Sequence, residues 1–168
     1  MNTAPNLHSS EEALTAPAPL VSVIIPAYNA ERFILEALQS IDVQRYLPLE
    51  ILVIDDGSTD QTRQVCAESG INVLSQPYSM GNGAAIKRGT RAAKGDTLVF
   101  MDADGQHDPA DIPRLLEKLD EGYDMVVGAR DAHSQASWGR GLANRLYNRI
   151  ASYMTGQRVD DLTSGFRL

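Results

Sequence analysis

Short apolar runs of strand length alternate along this chain with longer stretches in which apolar residues recur at helical spacing. The short runs predict strands at 21–25, 50–54, 72–74, 97–101 and 124–128. The longer stretches predict helices at 30–43, 58–69, 83–94, 108–121 and 140–155. Because the strands are apolar along most of their length, helices should cover both faces of the sheet. The pattern therefore predicts an α/β fold with a mostly parallel sheet.

Local signals mark several helix ends. The stretch 58–61 has the form of a capping box, and Asp108 followed by Pro109 is typical of an N-cap and a first helical position. Gly70 and Gly95 follow the second and third helices and predict where these helices end.

Length and charge narrow the class of protein. The 168 residues suffice for one compact domain, and the net charge of −7 argues against a nucleic-acid binder, which needs clustered Lys and Arg. No apolar run approaches the roughly 20 residues that span a bilayer. Residues 1–19 lack the basic and apolar regions of a signal peptide and are predicted to be a disordered leader before a folded domain at 20–168. The single cysteine, Cys66, fits a reducing cytoplasm.

Polar clusters follow four of the predicted strands at the point where each strand ends. They lie at 26–29, 55–58, 102–107 and 128–130. The carboxyl ends of parallel strands share one edge of a sheet, and open α/β sheets bind ligands there, beside the reversal of strand order. The sequence therefore predicts one ligand-binding crevice to which all four clusters contribute.

Asp102 and Asp104 are the strongest candidates for chemistry at this edge. Residues two apart in extended backbone point to the same side, roughly 6 to 7 Å from each other, and two such carboxylates repel unless a cation joins them. Hard oxygen ligands suit Mg²⁺ or Mn²⁺, and Mg²⁺ typically binds a few carboxylates together with substrate phosphates. Gln106 continues the alternation as a candidate carbonyl ligand, whereas His107 is interpreted as a loop residue.

Other polar residues leave two interpretations open. Asp55 and Asp56 either form a turn with the glycine that follows or accept hydrogen bonds from a nucleobase or ribose. Tyr28 either flanks a base or closes the core. The segment 133–159 carries arginines and no acid, so its helix presents either solvated arginines beside a packed apolar stripe or a basic face toward anionic lipid headgroups.

Three motifs, in this order and spacing, resemble family 2 glycosyltransferases, which have the Rossmann-like GT-A fold. They are Val-Ile-Ile-Pro-Ala-Tyr-Asn at 23–29, Ile-Asp-Asp-Gly-Ser-Thr-Asp at 54–60 and Asp-Ala-Asp-Gly-Gln-His at 102–107. The segment Asp-Leu-Thr-Ser-Gly-Phe-Arg at 161–167 resembles the further signature of dolichyl- and polyprenyl-phosphate sugar transferases. The pattern departs at Ala30, where the family often has Glu. Because relatives continue beyond the last motif, the resemblance implies a catalytic domain at 20–168 that is incomplete at its C-terminus.

The resemblance also implies a role for each motif. The residues expected to hold the nucleotide-sugar are Pro26, Tyr28, Asn29, Asp55, Asp56 and Asp102. The residues expected to bind the cofactor, Mg²⁺ or Mn²⁺, are Asp102, Asp104 and Gln106. Arg130 and Arg167 would receive the acceptor phosphate, and Asp161 would lie near the reacting centre.

The reaction implied by the resemblance moves a sugar, with inversion, from a GDP- or UDP-sugar to undecaprenyl or dolichyl phosphate. The protein would bind peripherally to the cytoplasmic membrane, at its inner face. A phosphate monoester, with a second pKa of about 6, is mostly dianionic at pH 7. It therefore needs arginines to hold it more than a general base to activate it.

Two other functions stay open at this point. The acceptor would be a sugar hydroxyl if Asp161 served as a general base, or the chain would be a non-catalytic fragment that binds a nucleotide-sugar. A nucleotidyltransferase is disfavoured, because 26–29 is not a basic, glycine-rich triphosphate loop.

Overall fold

The computed structural model describes residues 18–44, 48–104, 107–129, 147–154, 156 and 164–168. The predicted leader lies outside these residues except for Ala18 and Pro19. The strands are β1 (Val21–Ala27), β2 (Leu49–Asp55), β3 (Asn72–Ser75) and β4 (Thr97–Phe100). The helices are α1 (Ile34–Asp42), α2 (Thr62–Glu68), α3 (Asn82–Ala92) and α4 (Ile112–Asp120), the last preceded by a 3-10 turn at Pro109–Asp111.

The four strands form one parallel sheet in the order β3-β2-β1-β4. Strands β1, β2 and β3 lie side by side in chain order. The chain then crosses to the other side of β1, where it forms β4. The strand order therefore reverses between β1 and β4, which is where ligands bind in sheets of this kind. The predicted α/β fold with a parallel sheet is confirmed.

Alternate residues of β1 pack into two separate cores, one on each face of the sheet. Val23 and Ile25 belong to the core that α1, α2 and α4 cover. Ile24 lies in the smaller core with Ala85 of α3. All three β1 residues are fully buried, as expected of a central strand covered on both faces.

The predicted fifth strand at 124–128 is wrong. Val126 N–H donates to Leu168 O over 3.0 Å and Gly128 N–H donates to Phe166 O over 3.0 Å, in an antiparallel arrangement. The end of the chain lies between this segment and β4, because Phe100 and Arg167 exchange backbone hydrogen bonds of 2.8 and 3.2 Å. Apolar periodicity identifies an extended segment but not its partner, and here the partner is about 40 residues away along the chain.

Two helix signals had other roles than the sequence indicated. Ser58 does not cap α2, because its hydroxyl accepts a hydrogen bond from Asn29 N–H over 3.0 Å. Asp60 instead accepts from Thr62 N–H over 3.0 Å, and α2 begins at Thr62. Gly95 is not the end of α3, which ends at Ala92. A Cβ at Gly95 would lie 2.6 Å from Leu20 O, so close packing of the chain explains this glycine.

Other helix predictions hold. Asp108 is an N-cap whose side chain accepts from Ala110 N–H over 2.9 Å, with Pro109 following it. Gly70 follows α2 with a φ of +70°. The predicted last helix is helical at 147–154, and the remainder of 140–155 lies outside the described residues. None of the helices that the structure describes is both long and apolar enough to cross a bilayer.

Candidate functional site

The carboxyl ends of β1, β2 and β4 bring three of the predicted polar clusters to one edge of the sheet. Ala27, the last residue of β1, pairs with Asp55, the last residue of β2. On the other side of β1, Met101 N–H donates to Ile24 O over 3.1 Å, so Asp102 lies two residues beyond the end of β4. The fourth cluster, at 128–130, is held beside the end of the chain, and Arg130 lies outside the described residues.

Pro26 lies just beyond the point where the pairing of β1 with β4 ends. Ile24 O accepts from Met101 on the β4 side, and Ala27 O accepts from Asp56 N–H over 2.8 Å on the β2 side. Backbone groups alternate sides along a strand, so the nitrogen of Pro26 faces the β4 side. Because proline has no N–H to donate, the pairing of β1 with β4 ends at Ile24 and Phe100 while the pairing with β2 continues.

Tyr28 is 54% exposed, beyond the end of β1. The interpretation in which its ring closes the core is therefore wrong. The ring is available at the edge where a base would bind.

Asn29 joins the loop after β1 to the loop after β2. Its amide oxygen accepts from Thr59 N–H over 2.9 Å, while its own N–H donates to the Ser58 hydroxyl. Its φ is +49°, a conformation that Asn tolerates better than most residues. Ala30 N–H donates to the buried Thr62 hydroxyl over 2.8 Å and adds a further cross-link. The described contacts of Asn29 are structural, and its predicted contact with a nucleotide stays a prediction.

Asp56 is buried and accepts four hydrogen bonds from the chain itself. Oδ1 receives Gln76 Nε2 and Met80 N–H, each over 2.8 Å. Oδ2 receives the Ser79 hydroxyl over 2.8 Å and Gly81 N–H over 2.9 Å. These bonds occupy all the acceptor positions of a carboxylate. Burial raises the pKa of the Asp56 carboxyl, but the hydrogen bonds outweigh burial, so this pKa lies below its ordinary value.

Sequence reasoning missed the partners of Asp56. They lie 20 to 25 residues further along the chain, in the loop between β3 and α3. No local pattern links them to Asp56, although the glycine pair at 81 and 83 marks where that loop ends. Asp56 thus fixes the loop 76–81 beside the carboxyl end of β2.

Asp55 is fully buried at the end of β2. Its Oδ1 accepts from Ser58 N–H over 3.1 Å, as expected of an Asp that begins a turn. Its Oδ2 has no hydrogen-bond partner among the described residues and lies 3.5 Å from Nε of Arg63, whose charge balances it. The turn interpretation of Asp55 is confirmed, and its proposed contact with a nucleoside stays a prediction.

Asp102 and Asp104 follow β4 at the reversal of strand order. The side chain of Asp102 is 38% exposed, and Asp104 is exposed. No group of three or more His, Cys, Asp or Glu side chains suited to a metal forms within the described ranges, which do not include Gln106. Mg²⁺ commonly binds proteins through one or two carboxylates and completes its shell with substrate phosphates and water. Residues 103–104 form a turn, so the extended alternation expected from Asp102 to Asp104 is wrong. By their donor chemistry, the two carboxylates still suit a cation that arrives with a diphosphate.

His107 contacts both Asp102 and the end of the chain. Its side chain is 5% exposed, and Nε2 lies 3.6 Å from Oδ2 of Asp102. Its ring stacks on Phe166 with centroids 5.3 Å apart and an interplanar angle of 27°. His107 is a loop residue, as expected, but a buried one.

Arg167 lies beside the end of β4, paired through its backbone with Phe100 and Val127. Its neighbours Phe166 and Leu168 are buried in the core under α1, so alternation directs the Arg167 side chain to the opposite face. Nε of Arg167 is buried and has no hydrogen-bond partner among the described residues. A guanidinium in this state suits an anion that can reach it. Asp161 lies outside the described residues.

Comparison with known proteins identifies the family. The model of glycosyl transferase family 2 matches residues 22–168. The chain belongs to this family. This assignment agrees with the resemblance of the three strand-end motifs and with the sheet topology.

The relatives and structural neighbours of this chain carry names that indicate different reactions. The chain is 38% identical over 152 residues to undecaprenyl-phosphate 4-deoxy-4-formamido-L-arabinose transferase of Enterobacter sp. (strain 638), covering 84% of this chain and 46% of that protein. Glucosyl-3-phosphoglycerate synthase from Mycobacterium tuberculosis, in complex with Mn²⁺, UDP and glucosyl-3-phosphoglycerate, is 27% identical with a TM-score of 0.72 and covers 89% of this chain and 56% of that chain. TarS from S. aureus, residues 1–349, is 26% identical with a TM-score of 0.60, covering 70% and 37%. The chain spans about half the length of the first two.

Proposed function

We propose that the protein containing this chain transfers a sugar from a nucleotide-diphospho-sugar to a polyprenyl phosphate. The observation that carries the proposal is the close contact of Asp102, which follows β4, with Gly165 of the segment that also carries Arg167. The family assignment and the 38% identity to an undecaprenyl-phosphate transferase support the same reaction.

The donor would bind with its nucleoside over the ends of β1 and β2 and its diphosphate at Asp102 and Asp104. The exposed ring of Tyr28 would flank the base, and Pro26 would keep the crevice open beside it. Asp55 and Asp56, with the loops they fix, would form the floor of this pocket. UDP is the first donor nucleotide to test, because the similar synthase was crystallised with it, and GDP is the alternative.

Asp102, Asp104 and Gln106 would hold a divalent cation together with the donor diphosphate. Such a cation neutralises the negative charge that develops on the departing nucleoside diphosphate. The similar synthase carries Mn²⁺ in its complex, and two carboxylates suit Mg²⁺ equally well.

The acceptor phosphate would be held by arginines. Nε of Arg167 is a buried donor without a hydrogen-bond partner among the described residues, which supports an anion beside it. Arg130 would contribute a second guanidinium, and Asp161 would lie near the reacting carbon. Because the phosphate is already mostly dianionic at pH 7, these residues need only orient one of its oxygens for attack at the anomeric carbon. One displacement inverts the configuration.

A hydroxyl acceptor is the second candidate. It is favoured by the structural similarity to a synthase that makes glucosyl-3-phosphoglycerate. In that case Asp161 would serve as the general base, since a hydroxyl has to lose its proton during attack.

The location would be the inner face of the cytoplasmic membrane, where the protein would bind peripherally. The helix at 147–154 supports this, because it leaves large apolar side chains in solvent: Tyr147, Ile150, Tyr153 and Met154. Arg149 lies on the same helix and is exposed, which suits an anionic surface.

The deciding experiment offers the full-length protein a labelled UDP-sugar, with Mn²⁺, and either undecaprenyl phosphate or 3-phosphoglycerate. Label in a lipid extract supports the proposal, and label in a soluble product supports the hydroxyl acceptor. Donor binding with no product from either acceptor or from a panel of glycans would indicate a binding module. Lipid product that forms at full rate in excess EDTA would refute the metal role.

A further inference from the structure

We infer that His107 is a positioning residue that fixes the Asp102 carboxylate against the C-terminal segment 164–168. The metal-related part of this inference rests on the proposed function, in which Asp102 holds the donor's cation. The contact itself belongs to the structure of the chain without ligands. Three contacts carry the argument.

The first contact is polar. Nε2 of His107 lies 3.6 Å from Oδ2 of Asp102, which is longer than a hydrogen bond and places the two polar groups side by side. The imidazole is almost completely buried, so it has few alternative positions. A buried ring beside a ligating carboxylate restricts the rotamers open to that carboxylate.

The second contact holds the ring itself. The imidazole stacks on Phe166, which is buried in the core under α1. Phe166 is fixed through its backbone, since its N–H donates to the Ser164 hydroxyl over 3.2 Å and its carbonyl accepts from Gly128 N–H over 3.0 Å. The Ser164 hydroxyl in turn donates to Gly128 O over 2.7 Å. The ring on which His107 stacks is therefore held in place by hydrogen bonds of its own segment.

The third contact is between Asp102 and Gly165. A Cβ on Gly165 would overlap the Asp102 carboxylate, so this carboxylate lies directly against the backbone of the segment. The same segment thus supports His107 through Phe166 and touches Asp102 through Gly165. The loop after β4 and a segment about 60 residues later are joined at the carboxylate that would hold the cation.

The test separates stacking from polar contact with two variants. His107→Phe keeps an aromatic ring on Phe166 and removes Nε2, whereas His107→Gln keeps a polar N–H and removes the ring. We expect His107→Phe to keep its melting temperature within about 2 °C and to bind Mn²⁺–UDP about tenfold more weakly, as loss of an outer-shell partner typically does. We expect His107→Gln to melt earlier but to keep Mn²⁺–UDP affinity within about threefold. His107→Phe with wild-type affinity would overturn the inference and leave His107 a packing residue.

A double-mutant cycle on the unliganded protein tests the contact independently of metal binding. We expect His107→Phe and Asp102→Asn to be non-additive by at least about threefold in the unfolding equilibrium constant. The control pair, His107→Phe with Asp96→Asn at the far end of β4, should be additive. Additivity in the Asp102 cycle would overturn the positioning role. If the cycle shows coupling while the wild-type protein fails to bind Mn²⁺–UDP, the proposed function fails and the His107–Asp102 contact stands.

Discussion

Gly57 lies directly beneath the backbone of Tyr78. A Cβ on Gly57 would lie 2.5 Å from the carbonyl carbon of Tyr78 and 2.7 Å from the nitrogen of Ser79. The φ of Gly57 is +75°, a conformation that other residues rarely adopt. The turn after β2 therefore requires glycine at position 57 for two reasons. Its backbone conformation is left-handed, and the loop 76–81 packs too closely on it to leave room for a Cβ.

Gly57→Ala should destabilise the protein and displace this loop. We expect about 1–2 kcal/mol from the left-handed backbone and a further cost of about 1–3 kcal/mol from overlap with Tyr78. Gly70→Ala is the matched control, because Gly70 has a φ of +70° with nothing within 4 Å of its Cβ position. The difference between the free energies of unfolding of the two variants, measured in urea, gives the cost of the overlap with Tyr78. Equal losses of stability would show that the contact with Tyr78 costs nothing.

Asp56→Asn should destabilise the protein by about 2 kcal/mol at pH 7, because an amide group cannot accept all four hydrogen bonds and leaves buried donors unpaired. The pKa of Asp56 is lowered in the folded protein, so the stability due to its ionised form is fully present only well above about 3.9, the pKa of an unfolded Asp. That stability is lost as the pH falls from about 5 through the folded pKa.

The measurement for Asp56 is the free energy of unfolding of both proteins from pH 7 to pH 3. The difference between wild type and Asp56→Asn should shrink at the acid end. A difference that stays constant down to pH 3 would contradict the assignment of the lowered pKa to this carboxyl.

Two glycines of α3 should respond in opposite directions to the same substitution. A Cβ on Gly89 would overlap Ile24 in the smaller core, whereas one on Gly83 would meet nothing within 4 Å. We expect Gly89→Ala to lower stability by about 1–2 kcal/mol through overpacking. Gly83→Ala should raise it by about 0.5 kcal/mol, since alanine loses less backbone entropy in a helix. Thermal melts check both, and stabilisation by Gly89→Ala would mean that α3 packs further from β1.

Asp102→Asn and Asp104→Asn should each weaken Mn²⁺–UDP binding by at least about tenfold, because an amide oxygen carries no charge for the cation. Asp96→Asn is the control, since Asp96 is an exposed Asp before the other end of β4. Isothermal titration with Mn²⁺ and UDP measures all three variants. Wild-type affinity in both the Asp102 and the Asp104 variants would refute the proposal that the cation binds at this edge of the sheet.

The fold and the position of the site could largely be predicted from the sequence. Continuous apolar runs such as 21–25 form buried parallel strands because their side chains have to face a core on both sides of a sheet. A parallel sheet brings its carboxyl ends to one edge, so the ends of β1, β2 and β4 had to meet. The order and spacing of the motifs at 23–29, 54–60 and 102–107 likewise predicted the family.

Only the tertiary structure decided which side chains face each other at that edge. Asp56 and Gly81, or His107 and Phe166, are distant in sequence, and no periodic pattern connects such pairs. The partner of the extended segment at 124–128 could not be predicted for the same reason. Its pairing depends on which segment of the chain lies beside β4. The spacing of apolar residues along the chain indicates which residues are buried, and burial is a property of a single residue. Hydrogen bonds and close packing join two residues, and their geometry exists only once the chain has folded.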